Sequence, residues 1–241
     1  MTSRGGLAGQ RIAAGALTPL AGRPRGARQR REVVQRQLAD VVEGLLRSRR
    51  WATLRIEEVA GALGMTRTAF YRYYPDLGAV LLALLRDLAG AIQSRGAAWW
   101  GPPPPADPAG MAARGASLRA AAVGTAEIFA DHLHLLRAVL DAGASDEGIE
   151  RAYRAIVEGF VAAGARRIAA EQALGTVDPG LDPEQTAAAL VWMSERYLGT
   201  VLGRPDGPSP AAAGEVLATI WWRTLFGREP GPEGGPLLDQ G

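Results

Sequence analysis

Ile56-Glu57-Glu58-Val59-Ala60-Gly61-Ala62-Leu63-Gly64-Met65-Thr66-Arg67-Thr68-Ala69-Phe70-Tyr71-Arg72-Tyr73-Tyr74-Pro75 is the stretch from which the fold can be read. Ile56, Val59, Ala60 and Leu63 share one face at helical spacing, which predicts a short amphipathic helix. Gly64-Met65 turns the chain. Thr66 is a natural N-cap for a second helix, Arg67 to Tyr73, which Pro75 ends. A helix, a tight turn and a second helix together present the N-terminal side chains of the second helix to a DNA major groove.

Working outward, Val34, Leu38, Val41, Val42, Leu45 and Leu46 form one apolar stripe on a preceding helix of about five turns. Arg47, Arg49 and Arg50 close it at the negative end of its dipole. Residues 1–28 are rich in Gly and Arg, hold no acid and show no hydrophobic period, so they are expected to be a disordered basic arm. Downstream, a long helix is expected from Leu77 to Ala98, with Val80, Leu81, Leu84, Leu85, Leu88 and Ile92 on one side. Trp99-Trp100-Gly101 and Pro102 to Pro105 interrupt it. Further helices are expected over 109–142 (broken near Asp131), 146–174, 183–202 and 210–226. Asp107, Ser145, Asp182 and Ser209 are their expected caps, and Gly143, Gly175, Gly203 and Gly227 their ends. No strand alternation is visible, so the class is all-α with about nine helices. The expected divisions are the arm at 1–28, a three-helix head at 29–76, a helical body at 77–228 and a disordered tail at 229–241.

The last two helices carry wide apolar faces. Leu190, Val191, Ser194, Tyr197, Leu198, Val201 and Leu202 line one, and Leu217, Ile220, Trp221, Thr224 and Leu225 the other. Such helices can bury one side on their own body and another on a second copy, which predicts a two-fold homodimer built on residues 183–202 and 210–226.

Composition narrows the functions. Of 241 residues, 47% are apolar and 22% charged, an ordinary globular balance, and the absence of Cys removes disulfides, thiolate cages and cysteine nucleophiles. The net charge is only +2, yet residues 1–75 hold 14 Arg against 5 acidic residues, while 76–241 hold 13 Arg against 20. A basic head on an acidic body suits a polyanionic partner. The longest fully aliphatic run, Ala79 to Leu85, is far shorter than the roughly 20 residues of a membrane span, so a soluble, cytoplasmic protein with no membrane partner is expected. No G-x-S-x-G, H-E-x-x-H, Walker A or G-x-G-x-x-G motif occurs. His132 and His134, two apart on one continuous helix, would point about 200° apart and could not share a metal. Catalysis, a cofactor and a metal are therefore not expected.

The quoted stretch resembles the DNA-binding signature of TetR-family transcriptional regulators: an acidic pair with Val-Ala, a Gly-x-Thr turn, and a second helix ending in aromatic residues and Pro. Ala79 to Leu85, Ala189 to Arg196 and Ile220 to Gly227 are similar to the ethionamide-resistance branch of that family, so the resemblance spans about residues 30–228. It implies a dimer on palindromic double-stranded operator DNA, with repression relieved by a small apolar effector. Arg67, Thr68 and Arg72 would then read bases, Tyr71 and Tyr73 would meet phosphates, Thr66 would cap the recognition helix, and Phe70 and Tyr74 would be core. The usual Ser-Lys after the Pro is Asp76-Leu77 here. Arg55 stands where relatives have a capping Ser or Thr, which would move the cap to Thr53 and leave Arg55 for phosphate. The arm, with Arg23, Arg25, Arg28, Arg30 and Arg31, would replace the missing Lys contact. By the same resemblance, Leu118, Thr125, Phe129, Phe160, Ser194 and Trp221 would line an effector pocket, with Trp192 and Trp222 in the dimer seam or at its rim. Two other readings stay open: a sequence-indifferent DNA-binding dimer driven by the arm, and a ligand-independent regulator.

Overall fold

The computed structural model describes residues 26–227, so most of the expected arm and the whole of the expected tail lie outside the described residues. Ten α-helices and one short 3-10 turn make up the regular structure there, with no strand among the described residues: α1 Ala27–Leu46, α2 Ile56–Ala62, α3 Arg67–Phe70, α4 Leu77–Arg95, α5 Ala97–Trp100, α6 Pro108–Asp131, α7 Leu133–Gly143, α8 Glu147–Ala173, α9 Pro183–Val201 and α10 Pro210–Phe226.

In the head, α1 buries Leu38, Ala39, Val42 and Leu46 against α2 and α4. It begins at Ala27, two residues earlier than the expected head. Helix α2 ends in a paired bond: Met65 N donates to Ala60 O at 2.9 Å and Gly64 N to Gly61 O at 3.0 Å. This closure needs a left-handed residue, and Gly64 supplies it at φ 65°. The Thr66 hydroxyl then accepts from Ala69 N at 3.2 Å. Helix α3 is shorter than the expected 67–73: regular α-helix stops at Phe70 and turns carry the chain to Tyr73, because Pro75 offers no N–H and disfavours helical backbone at Tyr74. The cap of α2 does not move to Thr53, whose hydroxyl donates to Arg50 O at 2.8 Å beside the 3-10 turn Trp51–Thr53; Arg55 occupies the N-cap position without a side-chain bond to the helix's free N–H groups.

Asp76, the departure noted in the sequence, caps α4 by accepting from Ala79 N at 2.7 Å. By length and composition α4 could cross a bilayer, at a mean hydropathy of 1.4, a property the aliphatic-run criterion overlooks. In the fold it is the central core helix: Val80, Leu81, Leu84, Leu85, Leu88 and Ile92 are buried, and it packs on α1, α6, α7 and α8. It is therefore the element shared by head and body. The chain turns at Gly96, so Ala97 and Ala98 start α5 rather than finish α4.

The expected break near Asp131 falls at His132, which ends α6 and opens α7. Asp107, Asp182 and Ser209 cap α6, α9 and α10, but α8 is capped by Asp146, and Ser145 instead donates to Ala142 O. Gly143 is the last residue of α7, whereas Gly175, Gly203 and Gly227 follow their helices at positive φ. The body is built on two close pairs, α6 with α10 and α8 with α9. At Gly214 of α10 a Cβ would lie 2.4 Å from Val123 Cα of α6, so that crossing admits no side chain. Trp222 is not at a rim: it is 8% exposed and stacks on Phe226 with 4.6 Å between ring centres.

Candidate functional site

One candidate surface is the exposed side of α3. Thr66, Arg67, Thr68, Tyr71 and Arg72 are exposed together, Arg55 is exposed at the start of α2, and Tyr73 is half-buried. Phe70 and Tyr74 are buried, and the Tyr74 hydroxyl donates to Gln35 O of α1 at 3.3 Å. Arg67 is engaged within the head: Nη1 lies 2.8 Å from Glu57 Oε1, and Nε and Nη2 donate to the Tyr71 hydroxyl at 3.1 and 3.0 Å. A backbone N–H bond and the Arg67 guanidinium hold the Glu57 carboxyl below its usual range, so Glu57 is ionised wherever Arg67 needs it. Arg55 bends back to donate to Ala52 O and Leu54 O at 3.1 and 2.9 Å. Arg31 and Gln35 of α1 donate to Tyr73 O, which fixes the end of the recognition turn on the first helix. Of the arm cations, Arg28 pairs with Glu32 on α1, and Arg23 and Arg25 lie outside the described residues.

The second candidate is a cavity of about 130 Å³ bounded by α4 to α10. Space of that size accepts a small organic molecule rather than a few waters. All six residues named from the sequence line it: Leu118, Thr125, Phe129, Phe160, Ser194 and Trp221. Ser194 sits on an otherwise apolar stripe, and its hydroxyl donates to Leu190 O at 2.7 Å and accepts from Trp221 Nε1 at 3.0 Å. Thr125 donates to Ala121 O at 2.8 Å. Both hydroxyls are thus spent as donors and offer lone pairs only.

Three polar groups of the lining escaped the sequence reading. Tyr153 donates to Glu195 Oε1 at 2.5 Å, and burial, with that carboxylate, pushes the phenol pKa up far enough to keep it neutral. Glu195 follows Ser194 directly, and a carboxylate in an apolar stripe was the available signal. The third is Trp100, assigned to an interrupting loop, whose buried Nε1 has no hydrogen-bond partner among the described residues.

Trp99, in the cavity lining, is held by a buried ionic cluster. Glu171, with no exposed side-chain surface, accepts from Arg114 Nε at 2.8 Å and Arg167 Nη2 at 2.7 Å. Arg114 also donates to Pro104 O and Pro105 O, and Arg167 to Trp99 O and Gly101 O, with its guanidinium 4.3 Å from the Trp99 ring centre.

The helical geometry expected for the two histidines does not hold. Because His132 (φ −117°, ψ 19°) breaks the helix, the rings of His132 and His134 lie 6.2 Å apart and both reach Glu43 of α1. Burial, with Arg47 adding to it, holds the His134 imidazole below its ordinary pKa.

Residues 118–227 match the family model described as the C-terminal domain of the transcriptional regulator EthR. The chain is 26% identical to the HTH-type transcriptional regulator EthR of Mycolicibacterium smegmatis over 219 residues, covering 86% of this chain and 94% of that one. It is 28% identical to EthR of Mycobacterium tuberculosis over 208 residues, covering 85% and 94%. In fold it is similar to SmeT, the repressor of the Stenotrophomonas maltophilia multidrug efflux pump SmeDEF, with a TM-score of 0.64 at 17% identity over 84% of this chain and 97% of that one.

Proposed function

We propose that the chain is a TetR-family transcriptional regulator, a homodimeric repressor that leaves its operator when a small apolar molecule enters the body. In this reading residues 29–76 form the DNA-binding unit and 77–228 the sensing and dimerising unit. The observation that carries the proposal is the apolar cavity lying against α4, the helix that also packs on α1 of the head. A guest that displaces Leu85, Leu88 or Ile92 moves α4, and α4 starts at Asp76, directly after the recognition turn. The effector would be largely hydrocarbon, with one acceptor for Trp100 Nε1. EthR and SmeT, named as regulator and repressor, support this class of action.

Arg67, Thr68 and Arg72 would read base edges, and Tyr71, Tyr73 and Arg55 would meet phosphates, with Thr66 holding the helix end that faces the duplex. The test is binding of the purified full chain to DNA upstream of its own coding sequence, with a random duplex as competitor, across a salt series. A footprint of dimer size that survives competition is the expected result. Equal affinity for both duplexes would replace this reading with arm-driven, sequence-indifferent binding.

A further inference from the structure

We propose that Glu43, His132 and His134 form a binding site for a divalent transition metal of the zinc class, which ties the DNA-binding head to the sensing body. The chain has only two histidines and no cysteine, and the fold brings both imidazoles to one carboxylate of a different unit. Glu43 Oε1 lies 2.7 Å from His132 Nδ1 and 3.4 Å from His134 Nε2, and the three ligand atoms all fall within 4.8 Å of one another. Tetrahedral zinc with bonds of about 2.0–2.2 Å places its ligand atoms about 3.3 Å apart, so the cluster needs only small side-chain movements to close on an ion.

A second observation points to a ligand. The Nε2 atom of His134 is buried and makes no hydrogen bond among the described residues, although it faces Glu43. At 3.4 Å the two atoms stand beyond the usual hydrogen-bond distance and close to the spacing of two ligands on one tetrahedral ion. Two imidazoles and one carboxylate suit zinc, nickel or cobalt, whereas magnesium and calcium require oxygen shells. Three protein ligands leave a position for water. The His132 side chain is one-third exposed and provides the entry path, and Arg47, 3.9 Å from Glu43, is mostly solvent-facing and free to swing aside. The site bridges α1 with the α6–α7 junction, so an occupying ion clamps the joint between the units.

The test uses tag-free full-length protein dialysed against a chelator. Zn(II) is titrated calorimetrically, and Co(II) by its visible absorption. One ion per chain is expected, with binding at least about tenfold weaker in His134→Gln and in Glu43→Gln. Zn(II) should raise the melting temperature of the parent chain and leave that of the variants unmoved, while circular dichroism shows the metal-free variants folded. His132→Gln, at the more exposed position, serves as an independent variant should His134→Gln fail to fold. Binding unchanged by these substitutions, or no ion bound at micromolar concentration, would overturn the site. None of these readouts involves DNA, so failure here is separate from failure of the repressor reading.

Discussion

In the free head the Arg67 guanidinium is shared between Glu57 and the Tyr71 hydroxyl, so base reading requires it to exchange these partners for a guanine edge. Both members of the pair with Glu57 are more than half exposed, so water and salt screen it and the exchange costs little. Arg67→Ala is expected to weaken operator binding by roughly tenfold to a hundredfold and to relax sequence preference at one base pair, read by fluorescence anisotropy on the operator and its point variants. Glu57→Gln should act oppositely, raising affinity by up to about fivefold at low salt as a negative charge leaves the DNA-facing surface, with the gain fading as salt rises. Residue types and their spacing made the Gly64 turn and the Thr66 cap legible in the sequence. The Glu57–Arg67 pair was not, because it spans ten positions and depends on the left-handed turn at Gly64. The same limit hid the bond between Trp221 and Ser194, and the convergence of His132 with His134 depended on one break in a helix that periodicity places only to within a few residues.

At the level of elements, helices α6, α8, α9 and α10 were legible to within a residue or two, because each begins with an Asp or Ser cap and most end near a Gly. What stayed hidden was how their ends are tied together. Arg114 of α6 and Arg167 of α8 converge on Glu171 from 57 and 4 positions away, and together they satisfy four carbonyls between Trp99 and Pro105. No periodicity encodes that meeting, and none of the three stands out in the sequence. Thr176 donates a further bond to Glu171 at 2.6 Å, so the carboxylate is fully engaged. Removing one partner leaves buried charge without compensation, and Glu171→Ala is expected to cost about 3–5 kcal/mol in chemical denaturation. The joint variant Arg114→Met/Glu171→Leu/Arg167→Met should recover only part of that loss, since apolar replacement removes the buried charges but leaves the carbonyls of Trp99, Gly101, Pro104 and Pro105 without their donors. This variant is expected to bind effector more weakly, because Trp99 of the cavity lining loses the guanidinium over its ring and the bond to its carbonyl.

On the scale of the whole molecule, the proposed dimer needs a surface to build it on. Helix α10 buries Ala213, Leu217, Trp221 and Leu225 on its own body, yet Val216 and Ile220, one turn apart on its outer face, are 44% and 37% exposed. Large aliphatic groups stacked in this way on a terminal helix suit a second copy related by a two-fold axis, where each α10 meets its equivalent beside α9. Dimerisation matters energetically because the second head then binds as an intramolecular partner, and losing that connection costs about 10²- to 10⁴-fold in affinity. Val216→Glu/Ile220→Glu places four like charges in such a seam per dimer while leaving the buried face of α10 untouched. The variant is therefore expected to sediment as a folded monomer with unchanged helical circular dichroism, and to bind the full operator no better than a single half-site. A parent chain that itself sediments as a monomer at micromolar concentration would end the dimer reading, and a double variant that remains a dimer would place the seam elsewhere. The arm is tested in the same assay: because α1 already starts at Ala27, deletion of residues 1–25 removes Arg4, Arg11, Arg23 and Arg25 without cutting into the helix. The salt dependence of operator binding should then flatten by about one unit for each phosphate that the arm no longer neutralises, whereas an unaltered slope would assign those four arginines no part in holding DNA.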